Sequence, residues 1–107
     1  MPVPEIDVNE LARRRESGVS LIDVRQPGEY EESHVPGAVL IPLDELVERV
    51  DEVPEVDQVL VICRTGARSA KAVEFLNRSG YDSVNVAGGT LAWIEAGQPV
   101  VTGAEVG

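Results

Sequence analysis

The chain has 107 residues, of which 43% are hydrophobic, 26% are charged and 4% are aromatic, and its formal net charge is −10. This length fits one domain, and the composition is typical of a soluble globular protein with an aliphatic core rather than of a disordered or membrane protein. Nine Lys or Arg against nineteen Asp or Glu leave no basic face for phosphates, which excludes nucleic acid as an expected partner.

The first residues and the cysteine count limit the location and the chemistry. Residues 1–7 lack the basic start and apolar core of a secretory signal, and no apolar run approaches the ~18 residues that span a bilayer. We therefore expect a cytoplasmic protein with no membrane partner. Cys63 is the single cysteine, which excludes an intrachain disulfide, a CxxC redox pair and a cysteine-cluster metal site. No metal or other cofactor is expected.

In the first half of the chain, short apolar runs alternate with segments of helical spacing, which indicates βαβ units around a parallel sheet. We predict a helix over residues 9–17, capped by Asp7 and closed by Gly18, and a short helical turn over residues 29–33. Strands are predicted over residues 20–24 and 38–41, and residues 3–6 are a further candidate. Four apolar residues at helical spacing predict another helix before Pro54: Leu43, Leu46, Val47 and Val50.

The second half contains the most apolar strand. Residues 58–62 show almost no polar alternation, which predicts a central strand buried on both faces. The longest helix is predicted over residues 66–78, with Ala70, Val73 and Leu76 facing inward, and a strand, a Gly88-Gly89 loop and a last helix follow over residues 83–96. Residues 1–101 are predicted to form the domain and residues 102–107 a disordered tail.

Cys63 stands between the predicted central strand and the longest helix. The first turn of a helix has unpaired N–H groups and a partial positive charge, so a thiolate is stabilised there, and Arg64 and Arg68 act in the same direction. The alternative is a buried cysteine that serves as a small hydrophobe. Its place at the carboxyl end of a strand, before a loop, favours chemistry at sulfur.

The loop after Cys63 contains residues suited to surrounding one sulfur atom. Gly66 allows the backbone to turn N–H groups inward, Thr65 and Ser69 bring hydroxyl donors, and the small Ala67 leaves the pocket open. The two arginines could hold the oxygen atoms of an anion that approaches the sulfur. Alternatively, either arginine could pair with one of the many carboxylates of the chain.

Residues 63–69, with the sequence Cys-Arg-Thr-Gly-Ala-Arg-Ser, resemble the active-site loop of the rhodanese family of single-domain sulfurtransferases. Residues 21–25, 29–30, 34–38 and 41–42 resemble the amino-terminal signature of that family. The carboxyl-terminal signature is matched by Gly88, Gly89, Trp93, Gly97 and Pro99. The one departure is Ser33, which stands where the usual pattern has glycine.

The resemblance implies a single α/β domain with a five-stranded, mainly parallel sheet and helices on both faces. It implies a thiosulfate sulfurtransferase in which Cys63 is the catalytic nucleophile and residues 64–69 bind the substrate. A donor such as thiosulfate would leave a persulfide on Cys63, and a thiophilic acceptor such as cyanide, a thiol or a partner protein would remove the sulfur.

Four other residues can be given roles from their neighbours in the sequence. Asp23 and Arg25, which are close to Glu29, are predicted to form a buried or half-buried ion pair rather than to act in catalysis. His34 could serve as a base for Cys63, but its place in a Pro-Gly turn favours hydrogen bonding within that turn. Trp93 is predicted to pack in the core.

Two other functions remain open from the sequence. A cysteine-dependent phosphatase would also enclose an anion with a cysteine and an arginine, but only four residues separate Cys63 from Arg68, a shorter spacing than in those enzymes. Alternatively, the domain could be a sulfur carrier or regulatory binding module with low turnover.

Overall fold

A computed structural model, which describes residues 3–107, contains one five-stranded sheet. The strands lie in the order β1-β5-β4-β2-β3, and each neighbouring pair is parallel. All four residues of the central strand β4 are buried, as expected for a strand covered on both faces. The strands are β1 (Glu5–Ile6), β2 (Ser20–Asp23), β3 (Val39–Leu40), β4 (Val59–Ile62) and β5 (Ser83–Val86).

Four helices cover the two faces of the sheet. They are α1 (Val8–Glu16), α2 (Pro27–Glu32), α3 (Ala67–Arg78) and α4 (Gly89–Glu95). Helix α1 begins at Val8, one residue before the predicted start, and Asp7 is its cap as predicted: the Asp7 carboxylate accepts a hydrogen bond of 2.8 Å from the N–H of Glu10. The predicted five-stranded parallel fold with helices on both faces is confirmed.

Two hydrophobic clusters show how the sheet is covered. Leu60 and Ile62 of β4 face the cluster that contains Trp93 of α4, together with residues of α1 and α2. Val59 and Val61 face the opposite cluster, which contains the buried residues of α3. Cys63 belongs to this second cluster, because the alternation of side chains along an extended backbone continues beyond the end of β4.

The helix predicted from Leu43 to Val50 is wrong. Two 3-10 turns, Leu43–Glu45 and Val50–Glu52, occupy this connection, and Val47 is 66% exposed. A 3-10 turn rises about 2 Å per residue against 1.5 Å in an α-helix. The segment therefore extends further, and it buries Leu46 and Val53 over the sheet in place of one continuous apolar face.

The last residues contact the body of the domain through their backbone. Val101 pairs with His34 in an isolated antiparallel bridge, the N–H of Gly103 donates to the Glu31 carbonyl, and the Val106 carbonyl accepts from Gly37. The disorder predicted for residues 102–107 stays a prediction, and these hydrogen bonds argue against it. Among residues 3–107, no helix is long and apolar enough to cross a membrane.

Candidate active site

Cys63 lies at the carboxyl end of β4, where the chain turns towards α3. Its side chain is buried, Sγ accepts a hydrogen bond from the Gly66 N–H (3.1 Å), and the Ser69 hydroxyl oxygen lies 3.2 Å from Sγ. Gly66 caps α3 with a φ of +112°, a left-handed conformation that residues with a Cβ rarely adopt. The glycine therefore allows the loop to fold back so that its N–H groups face the sulfur.

Two opposing effects act on the Cys63 thiol. Burial raises its pKa, because a buried thiolate loses water. Hydrogen bonds from the Ser69 hydroxyl and from the N–H groups of Ser69, Gly66 and Thr65 favour the anion and outweigh burial, so the pKa of Cys63 is lower than its ordinary value. The sulfur is thus stabilised as a thiolate mainly by these hydrogen bonds rather than by the two arginines.

Hydrogen bonds from the start of α4 hold the carbonyl groups of the loop that follows Cys63. The N–H and hydroxyl of Thr90 both donate to the Cys63 carbonyl, at 2.9 and 3.0 Å, and the Leu91 N–H donates to the Arg64 carbonyl at 3.0 Å. A Cβ at Gly89 would lie 2.5 Å from both of these carbonyl oxygens. Gly89 therefore allows α4 to approach the loop closely enough to bind its carbonyls. The sequence predicts the Gly88-Gly89 loop, whereas the role of Thr90 has no sequence signal.

Arg68 is engaged with a carboxylate. Its Nη1 and Nη2 donate to Oε1 and Oε2 of Glu29 at 2.7 and 2.8 Å, in a two-point contact. The Arg68 hydrogen bonds lower the pKa of Glu29 to about 2, and Glu29 raises the pKa of Arg68. Of the two roles that the sequence allows for Arg68, anion binding and pairing with a carboxylate, the structure shows the pairing with a carboxylate. Glu29 also lies close enough to Arg25, its neighbour in the sequence, for the charge of Arg25 to lower the pKa of Glu29 further.

Arg64 has a different environment. Its side chain is exposed, and no ion pair joins it to a carboxylate within residues 3–107. It lines a cleft of about 300 Å³ beside the loop. The other lining residues are Arg25, Glu29, Glu32, Ser33, Thr90, Leu91 and Ile94. Arg64 is therefore the loop arginine whose charge is available to an approaching anion.

The remaining loop residues differ in how they meet the sulfur. Ser69 is buried, and its hydroxyl lies between Cys63 and the side chain of Asn85 on β5. Thr65 and Ala67 are exposed. Thr65 contributes its backbone N–H, and its hydroxyl makes no hydrogen bond within the described chain. Asn85 was not identified from the sequence, because a polar residue inside an apolar strand carries no local signal of its neighbours.

The buried pair predicted from the sequence forms between Asp23 and Arg25. Arg25 Nη2 lies 2.8 Å from Asp23 Oδ2 and also donates to the Ser33 carbonyl at 2.8 Å. Both side chains are nearly inaccessible to water. This pair fixes the backbone after β2, next to the Arg68–Glu29 pair.

His34 lies away from the sulfur, in contact with backbone carbonyls. Its ring stacks on Tyr30 with centroids 3.6 Å apart, and its two nitrogens lie 2.8 Å from the Tyr30 carbonyl and 2.7 Å from the Glu105 carbonyl. Hydrogen bonding is therefore its structural role, although the partners extend beyond the turn to the last residues. Trp93 is buried, and its indole N–H donates to the Pro99 carbonyl at 2.7 Å.

Comparisons with known proteins agree with this geometry. The family profile of the rhodanese-like domain matches residues 7–96. A sulfurtransferase of Allochromatium vinosum is 37% identical over 92% of this chain and 95% of its own length. The thiosulfate sulfurtransferase PspE of Escherichia coli is 47% identical over 64% of this chain and 67% of its own length.

A solved structure shares the whole architecture. The rhodanese-related protein of Thermoplasma volcanium is 36% identical, with a TM-score of 0.87 over 95% of this chain and 99% of that one. The chain therefore belongs to the rhodanese-like sulfurtransferase family.

Proposed function

We propose that this protein is a thiosulfate sulfurtransferase that carries a sulfane sulfur on Cys63 as a persulfide. The observation that supports this proposal is the environment of Sγ, which accepts a hydrogen bond from the Gly66 N–H and lies 3.2 Å from the Ser69 hydroxyl at the start of α3. An anionic sulfur placed against such donors is both available as a nucleophile and stabilised when it carries charge.

The first half-reaction transfers sulfur to the protein. The Cys63 thiolate attacks the outer sulfur of thiosulfate, a new S–S bond forms, and the S–S bond of the donor breaks with its electron pair leaving on sulfite. The inner atom of the persulfide is then Sγ, and the outer atom carries the negative charge. The exposed Arg64 is suited to bind the sulfonate oxygens, since its charge is not neutralised by an ion pair within residues 3–107.

The second half-reaction returns the protein to its first state. Cyanide or a thiolate attacks the outer sulfur, and the electron pair of the broken S–S bond returns to Sγ of Cys63. With cyanide the product is thiocyanate. The hydrogen bonds that stabilise the thiolate before the first step stabilise it again as the leaving group. We expect the physiological acceptor to be a small thiol or a protein, and the cytoplasmic location stays a prediction.

The proposal is tested by incubating the purified chain with thiosulfate and cyanide and measuring thiocyanate and sulfite. The matched control is Cys63→Ser, which removes the one thiol and keeps a side chain of similar size. We expect thiocyanate from the wild type, none above background from Cys63→Ser, and a mass gain of one sulfur atom on Cys63 when cyanide is omitted. No thiocyanate from the folded wild type would overturn the proposal.

Two outcomes of the same experiment identify the other functions. A stable sulfur adduct on Cys63 that cyanide does not remove would indicate a sulfur carrier or regulatory module. Hydrolysis of an aryl phosphate without thiocyanate formation would indicate a phosphatase. We expect neither.

A further inference from the structure

Three polar side chains, Ser69, Asn85 and Glu5, form a hydrogen-bonded relay that joins the buried sulfur to the edge of the sheet. The Ser69 hydroxyl oxygen lies 3.2 Å from Cys63 Sγ and in hydrogen-bonding contact with Asn85 Oδ1. Asn85 Nδ2 donates to Glu5 Oε2 at 2.8 Å and to the Gly66 carbonyl at 3.1 Å. Ser69 and Asn85 are buried, whereas Glu5 is exposed on the edge strand β1.

The chemistry of these groups fixes the orientation of the Asn85 amide. An ionised carboxylate and a backbone carbonyl only accept hydrogen bonds, so the amide nitrogen must face Glu5 and Gly66. The amide oxygen then faces Ser69. A hydroxyl has one proton, and Ser69 must donate it to Asn85, which leaves only a lone pair for Cys63. This arrangement is complete when Cys63 is a thiol that donates its own proton to Ser69.

Ionisation of Cys63 to the thiolate disturbs this relay of hydrogen bonds. The thiolate has no proton to give, so the Ser69 hydroxyl must turn towards Sγ, and the oxygens of Ser69 and Asn85 then face each other as two acceptors. Asn85 cannot relieve this contact by turning its amide, because its oxygen would then meet the Glu5 carboxylate and the Gly66 carbonyl. Ionisation of Cys63 therefore costs one hydrogen bond within the relay of Ser69, Asn85 and Glu5.

We propose that Asn85, held by Glu5, is a positioning residue that keeps the Ser69 hydroxyl from the Cys63 thiolate and so sets the fraction of Cys63 that is ionised. The inference rests on the proposed function, because it concerns the nucleophile of that reaction. Compared with a site whose Ser69 hydroxyl is free to turn, a smaller fraction of Cys63 is ionised, and any movement that separates Glu5 from Asn85 makes the hydroxyl easier to turn towards the sulfur.

Other charged groups around the sulfur are bound elsewhere. Arg68 of α3 is paired with Glu29 of α2, and Arg25, after β2, is paired with Asp23. Arg64 is exposed in the loop itself. At this edge, β5 and α4 place the uncharged Asn85 and Thr90 against the loop. The charged groups other than Glu5 are unchanged in the variants below, so they do not produce the differences that these variants measure.

The test is the pH dependence of alkylation of Cys63 by iodoacetamide in the whole chain, which has no other thiol. The decisive variant is Glu5→Gln, which replaces one of the two acceptors that orient the Asn85 amide with a side chain that can also donate, and so weakens the hold on that orientation. At a pH below the midpoint of the wild type, we expect alkylation about threefold to tenfold faster, equivalent to a midpoint lower by about half to one pH unit.

The background variant Ser69→Ala separates this relay from a simple charge effect. Without the hydroxyl, Glu5→Gln should leave the alkylation profile unchanged. Equal acceleration in both backgrounds would show that Glu5 acts only through its negative charge and would overturn the proposal. An unchanged profile of Glu5→Gln in the wild-type background would overturn it as well.

Two more variants extend the test to Asn85. Asn85→Ala removes the acceptor and should accelerate alkylation in the same direction as Glu5→Gln, whereas Ser69→Thr, which keeps a hydroxyl, should keep a response to Glu5→Gln. If Asn85→Ala does not fold, the exposed Glu5 variant still decides the question. Because alkylation measures the thiolate and thiocyanate measures transfer, failure of this inference and failure of the proposed function are distinguished.

Discussion

Arg68 and Glu29 form a two-point ion pair at the mouth of the site, with contacts of 2.7 and 2.8 Å between residues 39 positions apart. The pair joins α3 to α2 and neutralises one of the two loop arginines. An anionic donor that uses Arg68 must therefore compete with Glu29 for the guanidinium. Arg64 makes no such pair in the described chain and is open to the cleft.

This competition predicts the effect of Glu29→Gln on donor binding. The amide keeps the shape of the side chain but loses the charge, so Arg68 becomes available to the sulfonate. We expect the KM for thiosulfate to fall about threefold, in line with the ~0.2–1 kcal/mol that a partly exposed pair contributes. The measurement is initial-rate kinetics of thiocyanate formation. Glu31→Gln, on the same helix, is the matched control. A KM that rises in Glu29→Gln would show that the ion pair holds the loop in place and does not compete with the donor.

The same pair predicts a dependence of stability on pH. The folded pKa of Glu29 is about 2, below its ordinary value of 4.5, so the pair stabilises the fold fully above pH 4.5 and loses this contribution as the pH falls towards 2. Both side chains are about one third exposed, so we expect Glu29→Gln to lower the free energy of unfolding by about 1 kcal/mol at pH 7. Urea unfolding of both proteins at pH 7 and near pH 2.5 should show this difference shrinking. A constant difference would contradict the assignment.

Arg64 is predicted to be the main contact for the sulfonate. Arg64→Ala should raise the KM for thiosulfate about tenfold or more, as expected for the loss of a charge-assisted hydrogen bond of ~1.5–3 kcal/mol, with a smaller effect on kcat. Arg64→Lys, which keeps the charge, should recover part of the affinity. A persulfide donor without a sulfonate provides the comparison, because its KM should change little. Equal changes for both donors would mean that Arg64 does not bind the sulfonate.

Gly89 is predicted to be intolerant of a side chain. Its φ is +60°, and a Cβ would lie 2.5 Å from the carbonyl oxygens of Cys63 and Arg64. Gly97 is the matched control, since its φ is +76° but no atom lies within 4 Å of the added Cβ. Gly97→Ala should cost about 1–2 kcal/mol for the backbone conformation alone.

Gly89→Ala should cost a further ~1–3 kcal/mol, because α4 must move away from the loop. It should also slow alkylation of Cys63, because the carbonyls of Cys63 and Arg64 lose the hydrogen bonds from Thr90 and Leu91 that hold the loop in place. Urea unfolding and iodoacetamide kinetics measure the two effects. Equal stability of the two alanine variants would show that the close approach at Gly89 is relieved without cost.

The sequence was sufficient for the elements next to Cys63. An apolar run without polar alternation predicted the central strand, and the glycine and small residues after Cys63 predicted the loop and the helix that the structure shows. The connection over residues 43–53 was the exception. Its apolar spacing fits an α-helix, but in the fold two 3-10 turns bury Leu46 and Val53 over the sheet.

Caps, turns and the periodicity of apolar residues depend on neighbours a few positions away, so the chain by itself determined the strand, loop and helix that present the thiol. The partners of the long polar side chains depended on tertiary structure. Nineteen acidic residues offered Arg68 many possible carboxylates, and only the fold, which brings Glu29 of α2 to the first turn of α3, selected Glu29. In the same way, the pairing of β1 with β5 brought Glu5 to Asn85, 80 positions away, and thereby to the buried sulfur.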